Sequence, residues 1–239
     1  MTDPTVSGWP DKPMLALDVE TTGLNPESAR IVAAATVLVR TDPAPTVTEW
    51  LLDPCVAIPA EAAAIHGITT EQAQTLGRRP ADVIPEIIDV VTGALGQGHP
   101  VVVFRAPYAL TVLAREAARN GVEFPAEVAP VIDPSVLDKE AAPFRRGRRT
   151  LPALCEHYQV CHDGPNRPVE DALAAARLTW RMTRVHPQFA ALDLPTLHAR
   201  QQTWAAEQAA GLQSYLRRTD PTAVVHGDWP VIPNSKGEQ

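Results

Sequence analysis

Met14-Leu15-Ala16-Leu17-Asp18-Val19-Glu20-Thr21-Thr22-Gly23 is the stretch that decides the fold of this chain. An apolar run makes a buried strand, and Thr21-Thr22-Gly23 ends it abruptly with backbone amides exposed. Residues two apart on a strand share a face, so Asp18 and Glu20 point the same way. Two adjacent carboxylates repel, and one takes up a proton unless a hard cation such as Mg²⁺ or Mn²⁺ lies between them. A lone Asp-X-Glu is also the pattern of an exposed acidic strand end. The apolar run before it and the sharp stop after it favour a strand end that faces a ligand.

Outward from this strand, Pro13–Val19, Arg30–Arg40 and Thr46–Asp53 read as three strands joined by short polar turns, close enough for an antiparallel meander. Helical and strand patterns then alternate. Ala81–Leu95 repeats apolar residues at helical spacing and ends at Gly96, Pro100–Phe104 is a short strand, and Pro107–Asn120 is a helix stopped by Gly121. Val128–Asp133 reads as the fifth strand, with helices over Leu151–Tyr158 and Pro168–Arg184. Together they predict an α/β protein with a mixed five-stranded sheet and helices on both faces. A further helix over Leu194–Arg218 carries Leu197, Trp204, Leu212, Tyr215 and Leu216 on one side, a stripe open to packing on its own domain or on a partner. The Pro-containing tail from Asp220 reads as extended, anchored by Trp229.

Three units follow: a flexible N-terminus over 1–12, the α/β domain over 13–187, and a C-terminal helical extension with a Pro-rich tail over 188–239. At 239 residues the chain can bury a sizeable core. No signal sequence and no membrane-spanning run is evident, and Cys55, Cys155 and Cys161 lack Cys-X-X-Cys spacing, so the expectation is a cytoplasmic protein with reduced thiols and no membrane partner. A net charge of −7 argues against coating long nucleic acids, but not against gripping a few nucleotides at a strand end. Arg145-Arg146-Gly147-Arg148-Arg149 is the one dense basic cluster, readable as a phosphate contact or as a solvated loop.

Several segments resemble one known family. Asp18 to Gly23 is similar to the first motif of the DEDDh 3′→5′ exonucleases, a family related to the proofreading epsilon subunit of bacterial DNA polymerase III; the chain looks closest to actinobacterial relatives. Ile65-His66-Gly67-Ile68-Thr69 resembles the family's His-Gly-Ile-Thr element, Val101 to Leu110 lies where the second motif belongs, and Asn166 to Asp171 where the third does. The resemblance runs from about Pro13 to about Arg184 and implies a ribonuclease-H-like fold. It also implies that Asp18, Glu20 and Asp171 are catalytic metal ligands. Thr21, Thr22, Gly23 and His66 resemble contacts to the terminal nucleotide.

Two catalytic positions of the family, and one beside them, differ in chemistry. Ala109 stands where the family has an Asp, and Asn166 where it has a His; Arg105 replaces an Asn in the second motif. Two-metal hydrolysis needs carboxylates around both ions and a group that takes a proton from the attacking water. A methyl group supports no second ion, and an amide has no basic nitrogen. Glu116 lies about two helical turns beyond Ala109, and Glu170 points about 100° away from Asp171. The nearby His157 and His162 are weak substitutes by position. Asn166 has a structural alternative as a helix cap, while Arg105 and Arg167 could compensate the carboxylates in place of a cation.

The sequence therefore predicts a protein that binds a single-stranded nucleic-acid 3′ end or a nucleotide, with one weakly held Mg²⁺ or Mn²⁺ instead of two, and with hydrolysis lost or severely weakened. Arg105 joins the binding set in this reading. Two rivals stand beside it: an active 3′→5′ exonuclease in DNA proofreading, repair or RNA processing, and an interaction protein for a polymerase or repair partner.

Overall fold

The computed structural model describes residues 8–40, 42, 44–164 and 166–234. The meander is β1 (Met14–Thr21), β2 (Ile31–Val39) and β3 (Thr46–Leu51). Next come α1 (Ala60–His66), α2 (Thr70–Leu76), α3 (Pro80–Gly96), β4 (Val101–Val102) and α4 (Ala106–Arg119). The chain continues through β5 (Val131–Ile132), α5 (Pro134–Ala141), α6 (Leu151–Tyr158), α7 (Pro168–Val185), α8 (Pro187–Ala190) and α9 (Leu194–Leu216). The sheet order is β3-β2-β1-β4-β5, antiparallel within the meander and parallel from β1 through β4 to β5. This is the mixed five-stranded sheet the sequence predicts.

The sequence pattern misses α1, α2, α5 and α8. All four are eight residues or shorter, too brief to show a helical period. A Thr69–Gln72 capping box starts α2: Thr69 Oγ1 accepts from the Gln72 amide, and Gln72 Oε1 accepts from the Thr69 amide.

Alternation along β1 builds two cores. Leu15, Leu17 and Val19 face α3 and α4, while Met14 and Ala16 face the helix side that holds α7. Small residues let α7 lie close to the strands. Ala33 and Ala35 of β2 stand opposite Glu20 and Asp18, and α7 contributes buried Ala172, Ala174, Ala175 and Ala176. The β1–β2 register shifts between Glu20, opposite Ala33, and Thr21, opposite Ile31.

Of the expected flexible N-terminus, residues 1–7 lie outside the described residues. The remainder is packed: Trp9 and Pro10 are buried in a short 3₁₀ turn, and the Trp9 indole donates to the Phe189 carbonyl at 3.4 Å. A large aromatic ring gains too much by burial to stay in a mobile arm.

The first part of the Leu194 helix packs on its own domain through buried Leu197, while Leu212 and Tyr215 of the expected stripe stay exposed. From α9, Gln201 accepts from the Asp133 amide at 2.8 Å and donates to the Val131 carbonyl at 3.0 Å, while His198 accepts from the Val131 amide at 3.0 Å. These side chains satisfy the free edge of β5, which would otherwise expose unpaired backbone groups. Trp229 is buried in the core as expected, and Arg115 and Thr111 of α4 hold the tail at Ile232.

Candidate functional site

β1 carries Asp18 and Glu20 outward on the α7 side, and the first turn of α7 brings Asp171 to them. One carboxylate oxygen from each lies within 4.8 Å of the others. The three residues expected to converge do so. Among the described residues they form the only such group of three or more His, Cys, Asp or Glu side chains.

This crowding is electrostatically costly. Burial, then the charges of Asp171 and Glu20, raise Asp18 well above its ordinary value. Burial and Asp171 push Glu20 up to about 7. Burial also raises Asp171, against a hydrogen bond from His162 that lowers it. Hard oxygen donors, held together and short of compensation, fit one divalent cation such as Mg²⁺ or Mn²⁺.

The guanidiniums do not supply that compensation. Arg105 is exposed and lies 5.9 Å from the Phe104 ring centroid, and neither it nor Arg167 forms an ion pair with the three acids. Backbone geometry explains Arg105: it occupies a left-handed conformation, φ 58° and ψ 53°, just before α4, which swings the side chain outward. The carboxylate of buried Asp133 fixes this turn by accepting from the Arg105 and Ala106 amides at 3.1 and 2.9 Å.

Asn166 also departs from expectation. Its side chain caps no helix amide; Arg167 occupies the cap position of α7. Asn166 is instead left-handed, φ 64°, a conformation Asn tolerates well, and its backbone amide donates to Asp171 at 3.0 Å. The other Asp171 oxygen receives His162 Nε2 at 2.5 Å. His162 is the site residue that position along the chain undervalued. The signal was the short link from α6 to α7, which has to fold back over the start of α7.

Tyr108 places the first turn of α4 at the end of β1. Its hydroxyl meets Thr21 Oγ1 at 2.5 Å and donates to the Gly23 carbonyl. Ala109, expected to look onto the carboxylates, is instead 4% exposed and packs in the core cluster that contains Leu17 and Val19. Glu116 is likewise committed elsewhere, to Arg30 and Arg119.

Thr21, Thr22 and Gly23 form the turn at the mouth of the site. Thr22 is tied on both sides to Arg30, with its amide donating to the Arg30 carbonyl and its hydroxyl accepting from the Arg30 amide, each at 3.0 Å. His66 ends α1, and its Nδ1 accepts from the Ile68 amide at 3.1 Å. Burial lowers its pKa, against a hydrogen bond to the Thr21 backbone that raises it. His66, Ile68, Asn166 and Arg167 line a cavity of about 460 Å³, within the usual range for small-molecule pockets.

The basic loop divides in two. Arg145 and Arg149 are tied to Asp138, which is fully buried and also accepts from Tyr158 at 3.1 Å. Only Arg146 and Arg148 remain turned to solvent, so half of the cluster is structural.

The sequence profile of the exonuclease (RNase_T) family matches residues 15–179, and the chain belongs to that family. Solved structures agree in fold. Exonuclease I of E. coli, solved with a dA16 oligonucleotide, is 17% identical with a TM-score of 0.64, over 84% of this chain and 45% of that one. The nuclease domain of 3′hExo, a DEDDh family member bound to rAMP, is 18% identical with a TM-score of 0.61, over 77% of this chain and 96% of that one. Exonuclease X with 5′-overhanging duplex DNA is 19% identical with a TM-score of 0.56, over 77% and 99%. This chain spans less than half the length of exonuclease I. No curated protein matches it in sequence. Among the described residues, no helix is long and apolar enough to cross a membrane.

The raised carboxylates set a pH dependence. Glu20 titrates near 7 in the folded state against an ordinary 4.5, so its contribution to stability is complete below about 4.5 and is lost as pH rises through about 7. The metal-free protein is expected to melt at a lower temperature at about pH 8 than at about pH 5, with Mn²⁺ raising the midpoint more at the higher pH. A midpoint that climbs over this interval would contradict the assignment.

Proposed function

We infer that this exonuclease-family protein binds single-stranded nucleic-acid 3′ ends or nucleotides, with phosphodiester hydrolysis lost or severely weakened. The observation that carries this reading is the cleft itself: three convergent carboxylates beside a nucleotide-sized cavity, with Ala109 and Asn166 at the two altered family positions. Asp18, Glu20 and Asp171 would hold one Mg²⁺ or Mn²⁺. When bound, the cation neutralises phosphate charge and orients the 3′-terminal group. His66, set beside the Thr21 backbone and lining the cavity, borders the end of the strand together with the Thr21–Gly23 turn braced by Tyr108. Solved relatives were captured with a dA16 oligonucleotide and with rAMP, which supports a ligand of this class.

Retained activity is a second reading, and one observation favours it. His162 rests on Asp171, where an imidazole could accept the proton that Asn166 cannot. Against it, that same hydrogen bond ties the ring to a carboxylate.

Fluorescence anisotropy with a labelled oligothymidylate tests the binding reading. Retention is expected to need Mn²⁺ and a free 3′-hydroxyl, and to fall at least about tenfold in Asp171→Ala, a loss of about 1.4 kcal/mol. Binding that ignores the 3′ end or the cation would overturn it.

A further inference from the structure

A second cavity, of about 500 Å³, lies along the middle of α7, away from Asp171 in its first turn. It opens between the turn before β1, the end of β2, the residues after α6 and the middle of α7. Met14, which lines it, is four residues before Asp18 on β1, and Ala176 is five residues after Asp171 on α7. The cleft residues do not line it.

Its floor is apolar. Met14 and Ala176 are buried core residues, Val39 and Val160 are half-buried, and the Trp180 indole is 45% exposed at the edge. The rim is cationic, with Lys12, Arg40, Arg177 and Arg181 against one acid, Asp11, which is held by Arg184. Most of the positive charge is uncompensated. The Arg40 side chain bonds the Thr46 hydroxyl and Arg181 the Tyr158 carbonyl, both neutral, and Lys12 is exposed with no ion pair among the described residues. Arg177 alone meets an acid, Asp163 at 3.3 Å, where both side chains are well exposed and the pairing is worth little. Such a concentration of cations stands out on a chain of net charge −7.

An apolar pocket ringed by charge is the form of an interface hot spot, in which one large side chain fills the pocket and polar groups at the rim set the choice of partner. We propose that this cavity docks an acidic peptide segment of a partner protein, with a large apolar side chain on the floor and flanking carboxylates on Lys12, Arg40 and Arg181. A nucleic-acid strand fits less well. The aliphatic floor offers no partners for the polar edges of a base, and the Arg184 guanidinium, 5.0 Å from the Trp180 ring centroid, occupies a face on which a base would stack. This surface is separate from α9, whose His198 and Gln201 bond the β5 edge. This proposal does not depend on the chemistry of the cleft.

The test is selection of a displayed random-peptide library on the full chain, with Lys12→Glu/Arg40→Glu in parallel. Both positions are at the surface, and an unchanged melting temperature checks the fold of the variant. Selection is expected to enrich Asp- and Glu-rich sequences around Phe, Leu, Ile or Trp. The leading peptide should bind at least about tenfold more weakly to the charge-reversed protein, about 1.4 kcal/mol. Ala in place of its apolar residue should weaken it similarly. No enrichment, or enrichment unaffected by charge reversal, overturns the proposal. So does an oligothymidylate whose binding the same variant abolishes, which would assign the rim to nucleic acid.

Discussion

The combined variant Ala109→Asp/Asn166→His is expected to cleave single-stranded 3′ ends at least about 10²-fold faster than the parent, and by more than the product of the two single effects. Asn166→His restores a basic nitrogen one step from the Asp171 carboxylate, in a left-handed conformation that His accepts more readily than most residues. Ala109→Asp adds the missing acid, but at a covered position, so alone it is expected to destabilise the metal-free protein; Mn²⁺ should then recover more of its melting temperature than it adds to the parent. Arg105→Asn should improve the set further. It removes a fixed charge near the cleft mouth and places Asn in a left-handed position where Arg costs about 1 kcal/mol. The cycle is read as initial rates at several Mg²⁺ concentrations. A triple variant that folds, gains stability from the cation and still cleaves nothing would show that the cleft has diverged beyond these positions.

Gln201→Leu is expected to cost about 2–5 kcal/mol, the largest stability loss predicted for a single side chain here. Fully buried Gln201 satisfies both the Asp133 amide and the Val131 carbonyl, and each group left unpaired costs about 1–3 kcal/mol. The loss should spread toward the cleft, because the Asp133 carboxylate holds the amides that begin α4. Denaturant unfolding gives the magnitude, and hydrogen exchange at Val131–Asp133 should accelerate with it. A cost below about 1 kcal/mol would mean that water or a neighbour takes over the edge.

The sheet was legible because its strands are long enough to alternate and its turns are marked by Gly and Pro. The carboxylate trio was legible for a similar reason: two of its members lie on one strand, and the third opens a helix with a clear Pro start. The remaining site residues depend on folding that no local pattern records. His162 reaches Asp171 from the link between α6 and α7, nine residues earlier in the chain. Arg105 and Asn166 look like chemical replacements in sequence, yet their roles are set by left-handed backbone that turns one side chain outward and presents the amide of the other. Arg145 and Arg149 read as a phosphate-binding cluster until the buried Asp138 beneath them comes into view, some seven to eleven residues earlier in the chain. In α9 the apolar stripe was visible, but its decisive contacts are polar ones from Gln201 and His198 to a strand edge more than sixty residues away.

The central claim is that the cleft holds a 3′ end without turning it over at an enzyme's pace. Its most direct test is one reaction containing purified protein, Mn²⁺ and an end-labelled single strand, read for both retention and cleavage. The predicted result is saturable retention with cleavage at least about 10³-fold below the ~10 s⁻¹ of a typical enzyme. Metal-dependent turnover near ~10 s⁻¹ that His162→Ala abolishes would contradict the claim and make this chain a working exonuclease with a relocated base.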